Sequence, residues 1–328
     1  MPPELIIAIG LALLFDLLNG IHDSSNIVAT MISSRAFRPE TALGITALAN
    51  FFGPFLFGVA VATTIGDEVV QGNVLNLNII IACLVGAIFW NLATWFLGIP
   101  SSSSHALIGG MIGAVIVGAG TDAIRMQGVE KVVIALIASP LIGFIFGFLF
   151  TRLIYFLARG ATPNINKFFK NSQLVTALGM AFSHGTNDAQ KTMGVIALSL
   201  VIGGAISEFS VPTWVVAASA SAIAVGTAIG GWRLIRTLGG RFYKIRPLHS
   251  FSTQLTSGFV ILTASLLGLP VSTSQVVSSA IIGVGSSESV GKVRWSVAEE
   301  IVTAWLITIP ASALISAGTY WLITFLEK

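Results

Sequence analysis

Ser183–Lys191 reads SHGTNDAQK, a histidine, an amide, an acid and a lysine gathered into one short run inside a long oily segment. The first oily segment is interrupted in the same way by GIHDSSN, Gly20–Asn26. Both runs stand out because the 328-residue chain is otherwise apolar, with mean hydropathy +0.89 and only 9% Asp, Glu, Lys and Arg. A soluble domain carries about a quarter charged residues. Oily stretches recur from end to end, and about 20 apolar residues are what a helix needs to cross a bilayer. The composition defines an all-α polytopic membrane protein whose surroundings are lipid.

The opening MPPELIIAIG has no basic region and no small-residue cleavage site, so the first segment is expected to stay as a membrane helix. Cys83 is the one cysteine, which excludes an intrachain disulfide and gives redox chemistry no support. The isoelectric point near 9.2 does not point to nucleic acid. The basic residues lie in short loops between oily segments, where they set topology.

The oily segments run roughly 5–33, 41–64, 79–98, 102–119 and 130–158, then 174–202, 211–235, 251–269, 272–285 and 298–326. Between the two sets, RGATPNINKFFKNS (159–172) reads as a connecting cytoplasmic loop, dividing the chain into repeats 1–158 and 173–328. The sets repeat one another. LGIPSSSSH (Leu97–His105) matches LGLPVSTSQ (Leu267–Gln275) at an offset of 170, and NGIHDSSN matches HGTNDAQK at an offset of 165. The second match pairs Asp23 with Asp188 and Asn26 with Lys191. With the N-terminus outside and an odd number of crossings per repeat, all but four of the 17 Lys and Arg fall inside. The four are Arg125, Lys131 and Lys328 outside and Lys191 within the membrane. That bias places the chain in a cell membrane, the inner one of a two-membrane cell, with both termini extracytoplasmic. The loop after the first long segment is basic in one repeat (SSRAFRPE) and free of Lys and Arg in the other (GGAISEFS). Copies inserted upside down relative to each other give that swap, and inverted repeats are a transporter architecture. Segments 79–98 and 102–119 are either two crossings or one re-entrant hairpin turning at Pro100; both keep the parity.

The two acidic runs fall near the centres of their segments, where a carboxylate costs about 2.5–3.5 kcal/mol or more. Asp23 and Asp188 are therefore candidate ion ligands rather than packing residues, while Asp16, His22 and His184 fit a functional and a structural polar cluster equally. Gly20 and Gly185 are expected to allow backbone breaks whose carbonyls coordinate a cation. Lys191, three residues after Asp188 on the same helical face, either neutralises that acid or attracts an anion. In PSSSSH and PVSTSQ, Pro and a run of hydroxyls open the next segment. If those helix starts lie within the membrane, their free N–H groups and positive dipole ends bind anions. Ser102, Ser103, Ser104, Ser272, Thr273 and Ser274 add neutral donors suited to a tetrahedral oxyanion; otherwise they are ordinary caps at the membrane surface. Acids for a cation and helix starts for an anion make symport of the two the leading hypothesis.

Two other classes fit less well. An intramembrane hydrolase would use Ser, His and Asp, yet neither a G-x-S-x-G elbow nor an H-E-x-x-H motif occurs. An anion channel would line its path with basic residues or carbonyls rather than paired acids. No cofactor is expected. GFIFG (Gly143–Gly147) and GTAIG (Gly226–Gly230) match the small-xxx-small pattern of packed membrane helices, within one chain or between the copies of a homodimer.

At these motifs the chain resembles the inorganic phosphate transporter (PiT) family, whose signature G-A-N-D-V-A-N-A occurs once in each half of an inverted repeat. Gly20, Asp23 and Asn26 match in GIHDSSNI, and Gly185, Asn187 and Asp188 match in GTNDAQKT. The resemblance covers essentially the whole chain. It implies broken helices and re-entrant segments, and import of inorganic phosphate with sodium or with protons; sulfate is a related possibility because it too is tetrahedral. It implies a sodium set of Asp23, Asn26, Asn187 and Asp188. The phosphate set expected is the six hydroxyls together with Asn26, Gln190 and Lys191. His22 and Lys191 stand where the family has Asn, so the two cation sites need not be equivalent.

Overall fold

The computed structural model describes residues 2–327. Twelve helices follow in order: α1 (Pro3–Ser33), α2 (Pro39–Leu56), α3 (Ala60–Thr63), α4 (Leu77–Leu97), α5 (Ser103–Gly118) and α6 (Met126–Leu157) form the first half. The second half is α7 (Ile165–Ile202), α8 (Thr213–Ile229), α9 (Trp232–Gly240), α10 (Pro247–Leu266), α11 (Thr273–Glu288) and α12 (Trp295–Leu326). Pro opens α1, α2 and α10 at the first turn, where its missing N–H has no intrahelical partner to lose. The link expected over 159–172 is shorter than it reads: α7 begins at Ile165, because only 158–164 holds the Gly, Thr and Pro that stop a helix.

The breaks also lie elsewhere than expected. α1 and α7 run without interruption through Gly20 and Gly185. The chain bends instead by 73° between α2 and α3 and by 70° between α8 and α9. Gly58 (φ +75°) and Gly230 (φ +80°) take the left-handed backbone that those bends require. Gly20 and Gly185 serve close approach. A Cβ on Gly20 would fall on the Ile223 carbonyl of α8, and one on Gly185 on the Asn50 carbonyl of α2. The converse contacts set Gly226 on the Leu17 carbonyl and Gly53 on the Phe182 carbonyl, at repeat-related positions. Gly185→Ala should therefore lower stability by about 1–3 kcal/mol, since backbone must shift to admit the methyl. Gly179→Ala on the same helix meets open space and should not. Thermal unfolding of the two variants in detergent reads the difference.

Each half leans on the other. α1 packs on α8 and α9 while α7 packs on α2 and α3; α5 packs on α12 while α6 packs on α11. The two sequence repeats are thus interleaved, with no spatial boundary at their junction. Both small-xxx-small motifs are used within the chain, Gly143 and Gly147 against Val276, Ser279 and Ala280, and Gly226 against α1.

α4–α5 and α10–α11 are hairpins entering from opposite ends. The open end of the first lies beside Tyr320, to which Asn76 donates at 3.3 Å. The open end of the second lies where His249 meets Glu288 at 3.3 Å, near Arg246 and Lys292. At 16 residues each, α5 and α11 span about 24 Å, short of a hydrocarbon core about 30 Å thick. The tips are deep. Trp305, ten residues into α12, donates to the Pro100 carbonyl at 3.2 Å, and ten residues of helix are about 15 Å. At the repeat-related place, Ala135 of α6 packs with Val271. The tips touch, Ser104 donating to the Val271 carbonyl at 3.0 Å. The open question at Pro100 is thereby answered in favour of a re-entrant hairpin.

Candidate functional site

The buried Asp, Glu, Lys and Arg among the described residues are Asp16, Asp23, Asp188 and Lys191, all on α1 and α7. Two antiparallel helices carry them to one level because the Gly20 and Gly185 crossings bring each against the other half. There they meet the hairpin tips. Ser274 donates to Asp23 at 2.7 Å and accepts from Asn26 at 3.0 Å. The Thr273 hydroxyl lies 3.2 Å from Asp23 and 3.0 Å from Asp188, so one proton is shared between two acids. Lys191 pairs with Asp188 and donates to Ser104 at 2.6 Å and to the Val271 carbonyl at 2.8 Å.

His184 completes the centre. Its Nε2 is 3.0 Å from Asp188 and 3.9 Å from Asp23, and these three side chains offer ligand atoms all within 4.8 Å of one another. Sequence reasoning left His184 undecided; its position four residues before Asp188, on the same helical face, was the available signal. His22 lies 3.1 Å from the other oxygen of Asp23. Asp16 accepts from Thr192 at 2.7 Å, a contact of α1 with α7. Burying these charges is tolerable only because each is paired or hydrogen-bonded.

Both anticipated helix starts lie at this depth. Ser102 accepts from the His105 amide at 3.1 Å and Ser272 from the Gln275 amide at 3.3 Å, so both hydroxyls do cap, but in the protein interior rather than at the membrane surface. A single capping oxygen leaves further first-turn N–H groups without intrahelical partners. Ser103 is buried beside them, and equivalent residues His105 and Gln275 face each other at 3.3 Å between the two helices.

Three expected ligands are turned to other tasks. Gln190 points away from the acids into the α2–α3 bend, accepting from the Val61 amide at 2.8 Å and donating to the Gly58 carbonyl at 2.7 Å. It caps a helix that starts in mid-span, as Ser24 of α1 does for α9 by accepting from the Gly231 amide at 2.7 Å. Sequence patterns do not announce a cap supplied from another helix. Gln190→Ala should cost about 1–3 kcal/mol through the orphaned amide and carbonyl. It should leave the geometry of the acids and hairpin tips unchanged, a split that thermal unfolding and ligand-binding measurements together read. Asn187 donates to Ser265 at 2.9 Å and to the Leu269 carbonyl at 3.3 Å, while its own oxygen is buried without a partner. Lys191 has three N–H groups, and the three contacts above occupy all of them, leaving none for an anion.

Helices broken in mid-span, hairpins entering from both ends and an acid pair facing two buried helix starts are the construction of a secondary transporter. Comparison with known proteins agrees. The model of the phosphate transporter family (PHO4) matches residues 19–316. A probable low-affinity inorganic phosphate transporter of Rhizobium meliloti is 44% identical over 321 residues, covering 97% of this chain and 96% of that one. The protein of the same description in Bacillus subtilis is 42% identical, covering 96% of each. Among solved structures, one described as the sodium-dependent phosphate transporter superposes with a TM-score of 0.90 at 23% identity, covering 98% of this chain and 99% of that one, which establishes the shared fold. The chain belongs to the phosphate transporter family, as an integral membrane transporter and not an enzyme.

Proposed function

We propose that the protein imports inorganic phosphate across the cytoplasmic membrane by symport with sodium, at the junction of the two acids and the two hairpin tips. One observation carries this: the hydroxyls of Thr273 and Ser274, on the start of α11, are donated to Asp23 and Asp188. The same hydroxyls are the donors a phosphate at that helix start would need. With no cation present the carboxylates hold these hydroxyl hydrogens as acceptors. Sodium seated against Asp23 takes the oxygen lone pairs of the carboxylate and of Ser274, and the hydroxyl hydrogens are then free to turn toward an anion. Phosphate binds well only after the cation, and the cation only beside the anion whose charge it offsets. That interdependence couples the two movements.

Ser103, Ser104, Thr273 and Ser274, with the first-turn amides of α5 and α11, form the anion shell, Ser102 and Ser272 holding those turns in place. Asp23 with Asn26 and Ser274 forms the cation position, and the unpartnered Asn187 oxygen offers a further hard ligand near Asp188. One observation favours a second reading, in which a proton is the coupling ion: His184, a titratable group, lies between the two acids.

Purified protein in liposomes, given labelled phosphate, tests both. Accumulation above equilibrium driven by an inward sodium gradient at equal pH supports sodium symport. Accumulation driven only by an inward pH gradient replaces sodium with protons. Uptake that merely equilibrates under both gradients overturns symport in favour of a channel. Sulfate in excess should compete weakly if phosphate is the substrate, and equal competition would widen the substrate to tetrahedral oxyanions.

A further inference from the structure

The two halves of the site can be laid over one another by the offsets that relate the repeats. Asp23 corresponds to Asp188, Asn26 to Lys191, and Ser274 to Ser104. The contacts correspond as well. In the first half, Asn26 donates to Ser274 and Ser274 to Asp23. In the second, Lys191 donates to Ser104 and is paired with Asp188. The difference lies in what stands at the centre. Asn26 is neutral, so Asp23 meets hydroxyl donors and the rings of His22 and His184 but no fixed ammonium. Lys191 puts a full positive charge against Asp188, and surrounds it with a carboxylate, a hydroxyl at 2.6 Å and a backbone carbonyl at 2.8 Å. Those three kinds of oxygen are what a sodium ion collects in a transporter core.

We infer that the Lys191 ammonium is a tethered cation that permanently fills the second half's cation position. Each phosphate then moves with one exchangeable cation, bound at Asp23, Asn26 and Ser274, rather than with one from each repeat. Charge and space both require it. The ammonium is paired with Asp188, whereas Asp23 meets hydroxyls and the rings of His22 and His184 but no lysine or arginine, which leaves it the acid open to a mobile cation. Lys191 is 1% exposed and its three N–H groups occupy the Asp188, Ser104 and Val271 oxygens, the ones a second ion would have to share. The assignment rests on the symport reading above and adds its stoichiometry.

The test uses the full chain in liposomes at zero membrane potential, with only the coupling ion varied across the membrane. The limiting inside-to-outside phosphate ratio follows the cation ratio raised to the number of cations carried. For wild type a roughly tenfold gradient should give about tenfold accumulation. Lys191→Asn opens the second position beside Asp188, and the same gradient should give about a hundredfold. Wild-type accumulation following the square of the gradient overturns the proposal, and so does a transporting Lys191→Asn variant that keeps the first power. Should the variant bind but not transport, the cation dependence of its phosphate-induced thermal shift in detergent decides. A log–log slope of two against one for wild type supports the tethered charge, and equal slopes overturn it. Absence of gradient-driven uptake by wild type under both sodium and pH gradients overturns the symport reading and this inference with it, a result distinct from an exponent of two.

Discussion

Replacing Asp23 by Asn is expected to abolish gradient-driven phosphate accumulation while leaving a folded protein in the membrane. The side chain is fully buried, receives Ser274 at 2.7 Å and shares the Thr273 proton. An amide of the same shape still accepts the Ser274 hydroxyl on its oxygen and can donate its NH2 to the Thr273 oxygen, so the packing of α1 against the hairpin tip survives. What disappears is the negative charge of the acid at the hairpin tips that no lysine is paired with. Removing one member of a buried charge pair costs about 2–5 kcal/mol of binding. That corresponds to roughly 30- to several-thousand-fold weaker cation binding. The measurement is uptake under a sodium or pH gradient beside an unfolding curve in detergent. Accumulation at the wild-type level would remove Asp23 from the coupling.

Asp188→Asn should fail differently, through the fold. Its partner Lys191 is buried, and truncating one partner of such a pair strands an uncompensated charge at a cost of about 3–5 kcal/mol. The single variant should therefore be markedly less stable in detergent than Asp23→Asn, although the two acids are repeat-related and equally buried. The double variant Asp188→Asn/Lys191→Asn removes both charges and should recover most of that loss. If the double variant were as unstable as the single one, the ion pair would not be what holds α7 against the hairpin tips. This asymmetry separates a stabilising acid from a coupling acid, which the sequence motif alone presents as equals.

Much of this was legible early. Rare charges in an apolar chain are conspicuous, and Asp23, Asp188 and Lys191 were singled out on that ground. The hydroxyl-tipped helix starts were legible because Pro and Ser mark a helix start in any solvent. His184, the cap made by Gln190 and the unbroken course of α1 and α7 were not. A glycine in a membrane helix reads the same whether it bends the backbone or admits a neighbour, and only Asn50 and Ile223 lying against Gly185 and Gly20 distinguish the two.

The amino-acid sequence by itself determined that this is a helical membrane protein whose two halves share motifs at near-constant offsets, with an acidic run in each. Composition, segment length and internal offset are properties of the chain in one dimension, and they survive without knowledge of contacts. Only the tertiary structure decided that the hairpins turn back at mid-depth, that one threonine touches both acids, and that Lys191 is paired with Asp188 and Ser104 at the tips. The contact of Thr273 with Asp23 joins residues 250 apart in sequence, and that of Lys191 with Ser104 joins residues 87 apart. Such contacts depend on how the two halves interleave, through close glycine crossings and buried hydrogen bonds whose geometry no local pattern encodes.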